Sequence, residues 1–79
     1  MEKLRTILAE VLGVKAEDLP AEPSMSNTAE WDSYNALVFV SEVEQAYQIQ
    51  LETSDVLAVR SLSDIGAILK KKGVEGFVE

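Results

Sequence analysis

Neither cysteine nor histidine occurs anywhere in the 79 residues. Without cysteine there is no disulfide, no thiol nucleophile and no thiolate metal ligand. Without histidine the side chain most often used for proton transfer near neutral pH is missing. An enzyme working through its own side chains would be confined to carboxylate chemistry, so the chain is expected not to be an enzyme and to hold no catalytic residue and no metal site. Positive charge is also scarce: seven Lys and Arg stand against fourteen Asp and Glu, for a net charge of −7. That balance argues against nucleic acid, whose binding rests on cations that neutralise phosphates, and suits basic partners. The longest apolar run, Ala36 to Val40, falls far short of the roughly 20 residues a membrane span needs. The first residues, with Glu2 among them, show no signal-type apolar core. A cytoplasmic protein with no membrane span is expected.

What is present is a globular composition, 47% hydrophobic and 27% charged. A chain this short has surface enough to bury for one core and no more. A single domain over residues 1–79 is expected, with an ordered core of about 2–73 and a tail at 74–79, and it is expected to be a monomer. The charges are segregated: no Lys or Arg lies between Lys15 and Arg60, whereas Glu17, Asp18, Glu22, Glu30, Asp32, Glu42, Glu44, Glu52 and Asp55 all do. Such a segment is either plain solvated surface or a field that steers a basic partner.

Hydrophobic spacing predicts four helices and no sheet. Leu4, Ile7, Leu8, Val11 and Leu12 form one apolar stripe, which gives a first helix from about Glu2 to Leu12, stopped by Gly13. Pro20, Pro23, Ser24, Ser26, Asn27 and Thr28 make the following stretch to Glu30 a long loop, with Leu19 and Met25 pinning it to the core. From Ser33 a second helix runs to about Gln48, with Leu37, Val40, Val43 and Tyr47 as its buried stripe and Ala36 and Phe39 beside it. Ile49 and Leu51 read as extended loop. Thr53 or Ser54 caps a short third helix containing Val56, Leu57 and Val59. Ser61 and Asp64 form a capping pair for the fourth, which carries Leu62, Ile65, Ile68 and Leu69, and Lys70, Lys71 and Lys72 at its end complement the helix dipole.

The sharpest local feature is Trp31-Asp32-Ser33-Tyr34, where the loop gives way to the acidic second helix. A helix N-terminus favours a negative group, so a phosphate ester on Ser33 would be electrostatically welcome there. Ordinary capping by Asp32 or Ser33 explains the same residues. No stretch supplies a calcium loop of the EF-hand pattern. Glu30 and Asp32 would be the candidate pair for a carboxylate enzyme, and no convergent polar pocket can be inferred around them from so short a chain.

The order as a whole resembles the acyl and peptidyl carrier proteins, and the resemblance covers nearly the entire chain. It rests on one helix, a long loop, Asp32-Ser33 opening an acidic helix behind Trp31, a short third helix and a fourth. Tyr47-Gln48-Ile49-Gln50-Leu51 is similar to the family's exit from its second helix. The resemblance implies an all-α four-helix bundle of the acyl carrier type and a stand-alone carrier that is no catalyst. It also implies 4'-phosphopantetheine attached to Ser33 beside Asp32, holding an acyl or aminoacyl group as a thioester. The expected partners are a phosphopantetheinyl transferase, a loading ligase, and acyl-transferring or condensing enzymes. They would meet Tyr34, Val38, Ser41, Glu42, Glu44 and Gln45 along the second helix. Two departures from the family stand out: Tyr34 occupies a position usually held by leucine, and the second helix carries only Glu42 and Glu44 as acids, with Val38 and Ser41 at exposed positions where fatty-acid carriers often hold more charge. The alternative is an acidic helical adaptor that docks a basic protein without any modification.

Overall fold

A computed structural model describes residues 2–74. Four α-helices follow in order, α1 (Glu2–Leu12), α2 (Ser33–Tyr47), α3 (Thr53–Ala58) and α4 (Leu62–Lys71), with a single 3-10 turn at Ala16–Asp18 in the loop after α1. The described residues contain no strand, and their β-type pairing is an isolated bridge between Ser24 and Ser61. This is the all-α bundle expected, with a short third helix and a long connection between the first two.

Each helix end has a local cause. Gly13 takes up a left-handed conformation at φ 72°, which a residue with a Cβ enters at a cost, and so releases the chain from α1. Asp32 caps α2, and Gln48, at φ 55°, closes it. Ser61 caps α4 by accepting from Asp64 N at 3.1 Å, while Asp64 Oδ2 accepts from Arg60 N at 3.0 Å. At α3 the expectation needs correction: the N-cap is Glu52, not Thr53 or Ser54, and Asp55 Oδ2 accepts from the Glu52 N–H at 3.2 Å. A carboxylate in the third helical position reaches back to the N-cap amide, which the hydroxyls within the first turn do not do.

The core is built from Leu4, Leu8 and Leu12 of α1, Phe39, Val40 and Val43 of α2, Ile65 and Leu69 of α4, with Leu19 and Trp31 from the loop. Met25 packs on it from the side. The buried stripe of α2 is therefore Ala36, Phe39, Val40, Val43 and Tyr47, fully or partly covered, and not the one led by Leu37, which is 59% exposed. The two patterns share Val40, Val43 and Tyr47. Phe39 decides between them, because its ring meets buried Trp31 edge to face at 5.6 Å and 80°. Leu37, two residues before it, is then turned off the core face. Val38 is half-buried.

The long loop is held by contacts that no local pattern announces. The Arg5 guanidinium donates to the carbonyls of Ala16 (3.0 Å), Leu19 (3.3 Å), Pro20 (2.8 Å) and Ala21 (3.3 Å), binding the first half of the loop to α1. Asn27 Oδ1 accepts from Ser24 N and Thr28 Oγ1, each at 2.8 Å, and so shapes the second half. Met25 N donates to Arg60 O and Leu62 N to Pro23 O, both at 2.9 Å. The loop thereby straps across the α3–α4 junction and approaches the start of α2. Val74, expected to open the tail, donates to Leu69 O at 2.9 Å and packs against the core. The remainder of that tail, 75–79, lies outside the described residues.

Candidate functional site

Ser33 is the first residue of α2 and is exposed. Capping falls to its neighbour: Asp32 Oδ1 accepts from Asn35 N at 2.9 Å. Asn35 also donates through Nδ2 to Glu30 O at 2.8 Å, which stitches the end of the loop to the first turn. Of the two capping candidates, Asp32 does the work, and the Ser33 hydroxyl makes no hydrogen bond to the described residues. Behind this turn Trp31 is only 2% exposed and forms the floor on which the helix starts.

Ser33 stands on the rim of an open cavity of about 220 Å³ between α2, α3 and the loop. Its apolar lining comes from Met25, Ala36, Leu37, Val56, Leu57 and Val59, and Arg60 is its one cation. Two of these apolar side chains stay in water, Leu37 at 59% and Leu57 at 71% exposure. On the outer side of α2, Tyr34 is 73% exposed. Ser41, Glu42 and Gln45 are exposed and Val38 and Glu44 half-buried. Tyr34, Leu37, Val38, Ser41 and Gln45 recur at i, i+3, i+4, i+7 and i+11, so they share a stripe that begins beside Ser33. Glu44 has a structural engagement as well, since its Oε2 accepts from Leu51 N at 2.8 Å and holds the chain that leaves α2. Sequence reasoning did not single out Asn35, and it used Arg60 only to mark the end of the acidic stretch.

α3 is lightly anchored, with none of its own residues fully buried. Its polar tie is Asp55 to Lys72 at 3.2 Å. The Glu52 N–H, followed by the Lys72 ammonium, holds the Asp55 carboxyl below the usual carboxylate range. Among the described residues, no three carboxylates converge on a point that could hold a metal ion, and no helix is long and apolar enough to cross a membrane.

The site suits 4'-phosphopantetheine. Its phosphate needs an accessible hydroxyl with no structural duty, and the tethered chain needs a surface beside it; the Ser33 hydroxyl and the adjoining cavity meet those two requirements.

Comparison with known proteins agrees with this chemistry. Residues 2–69 match the family described as "Phosphopantetheine attachment site". Among curated proteins, the chain is 31% identical over 71 residues to an acyl carrier protein of Streptococcus pyogenes, covering 90% of this chain and 92% of that one. It is 29% identical over 73 residues to the acyl carrier protein of Syntrophus aciditrophicus, covering 92% and 91%. It is 27% identical over 71 residues to that of Bdellovibrio bacteriovorus, covering 90% and 91%. Matched to that family over most of its length, the helical bundle is a carrier whose prosthetic group is 4'-phosphopantetheine, and the chain belongs to the acyl carrier proteins of the phosphopantetheine-attachment family.

Proposed function

We propose that the chain tethers an acyl or aminoacyl group as a thioester on 4'-phosphopantetheine attached to Ser33, and presents it to partner biosynthetic enzymes. The observation that carries this reading is the exposed Ser33 hydroxyl, relieved of capping by Asp32 and set at the first turn of α2. In the loading step Ser33 Oγ attacks the pantetheine-side phosphorus of coenzyme A. The bond from that phosphorus to the bridging oxygen breaks, 3',5'-adenosine bisphosphate leaves, and the serine proton passes to a base of the transferase. Asp32 keeps the first turn in place, and the unpaired N–H groups of that turn offset the charge of the new phosphodiester. When bound, the arm supplies the thiol that holds the cargo. The apolar cavity offers the methylenes of an acyl group a surface away from water.

The partner face is the stripe of α2 that starts at Tyr34. A transferase, a loading ligase or a condensing enzyme must cover the ground next to Ser33 to reach the arm. There it would meet Tyr34, Val38, Ser41 and Gln45, flanked by Glu42 and Glu44. Leu37 joins them because it is exposed and not in the core. Acids on such a face speed encounter with a basic rim, and apolar side chains slow dissociation.

Loading from an acyl-coenzyme A tests the reading. Wild-type protein should gain the mass of the acylated arm on Ser33, and neutral hydroxylamine should remove the acyl group while leaving the arm. An acyl group that resists hydroxylamine, or that sits on another residue, would contradict it.

A further inference from the structure

Arg60 is the sole Lys or Arg between Lys15 and Lys70, in a stretch otherwise charged only by acids. The strap between the loop and the α3–α4 junction brings this one cation to the same cavity as Ser33. Its backbone is fixed on both sides: the Arg60 carbonyl accepts from Met25 N at 2.9 Å and its N–H donates to Asp64 Oδ2 at 3.0 Å. The residue itself is exposed. Among the described residues its guanidinium forms no ion pair; the ion pair nearby in sequence is Asp55 with Lys72. Apart from Ser33, every other residue lining the cavity is apolar. An anchored cation with no anion of its own, on the edge of an apolar cavity, is short of one partner.

We propose that Arg60 is the positioning residue for the phosphate that joins the arm to Ser33, and that it lays the arm into the cavity between α2 and α3. The proposal rests on the attachment reading above and names the side chain that orients the attached group. A phosphodiester carries a permanent negative charge, and Glu30 and Asp32 precede its attachment point, so a counter-charge has work to do there. The guanidinium fork matches two phosphate oxygens at once, which an ammonium does not. A carboxylate at the far end of a cargo offers similar chemistry. The phosphate is the nearer candidate, because it is bonded directly to an oxygen on the rim of the cavity.

Nuclear magnetic resonance on 15N-labelled protein before and after loading, with the attached mass checked first, decides the matter. On going from apo to holo with the thiol unacylated, wild type should show shifts at Ser33 and Tyr34 and also at Met25, Val59 and the Arg60 Nε–H. In Arg60→Gln the shifts at Met25 and Val59 should fall to less than half while those at Ser33 and Tyr34 persist. Arg60→Lys should fall between. Both variants keep the Arg60 backbone bonds, and apo spectra with unchanged dispersion would confirm the fold. An Arg60 Nε–H that does not move in wild type on loading would overturn the proposal, as would full Met25 and Val59 shifts in Arg60→Gln. A response that appears only when the cargo bears a terminal carboxylate would also overturn it. No added mass on Ser33 would overturn the attachment reading as well, so the two failures are told apart.

Discussion

The backbone N–H of Asn35 donates to Asp32 Oδ1 at 2.9 Å, and that single bond assigns the capping of α2 to Asp32. Ser33, between them in sequence, is left with an exposed hydroxyl. Asp32→Ala should therefore cost about 1 kcal/mol of folding stability, the usual penalty for a lost N-cap. Ser33→Ala should stay within about 0.5 kcal/mol of wild type, as exposed substitutions usually do. Urea melts of the two variants check this; the reverse order would mean that Ser33 is the cap.

The register of α2 makes a second expectation. Phe39 is fully buried against Trp31, so Phe39→Ala should cost about 3 to 5 kcal/mol. Leu37 is largely in water, and Leu37→Ala should change stability by no more than about 0.5 kcal/mol. Thermal or denaturant melts followed by the emission of the single tryptophan, Trp31, would show equal losses if Leu37 were in the core instead.

On the partner face the acids and the apolar residues should separate kinetically. Glu42→Lys should slow association with the transferase and flatten its dependence on salt, whereas Val38→Asp should chiefly raise the dissociation rate. Glu44 is a poorer probe, because its carboxylate also holds Leu51 N. Stopped-flow binding at low and high ionic strength makes the distinction. Silence at both positions, with slower modification on charge reversal of Glu2 and Glu10, would place the contact on α1.

The tie between α3 and α4 should fade in acid. The Asp55 carboxyl is held below its ordinary value of 3.8, first by the Glu52 N–H and then by Lys72. A depressed folded-state value means the contribution is complete above the unfolded-state value and is lost as the pH falls through the folded-state value. Wild type should thus be more stable than Asp55→Asn at neutral pH, with the difference shrinking as the pH falls below about 4. Paired urea melts across that range would contradict this if the gap stayed constant.

Much of the architecture was legible in the chain. The α1 stripe with Gly13 after it, the capping pair Ser61 and Asp64, and the Asp32-Ser33 start of α2 all lie where their spacing put them, because each is set by interactions within a few residues. The face of α2 was off by one position. Two stripes share Val40, Val43 and Tyr47, and the choice depends on Trp31, which reaches Phe39 from the loop. Arg5 and Asn35 could not be read from periodicity, since both act through side-chain bonds to irregular backbone: Arg5 on carbonyls eleven to sixteen residues away, Asn35 on Glu30. Arg60 was visible as a lone cation, but its place beside Ser33 depends on the strap from Pro23 and Met25 across the α3–α4 junction.

The most direct measurement is the intact mass of the protein after incubation with coenzyme A and a broad-specificity phosphopantetheinyl transferase, followed by peptide mapping. Wild type should gain one phosphopantetheine, located on Ser33, and Ser33→Ala should gain none. An unmodified wild type beside a fully converted control carrier in the same tube would contradict the account, as would the arm on any other serine.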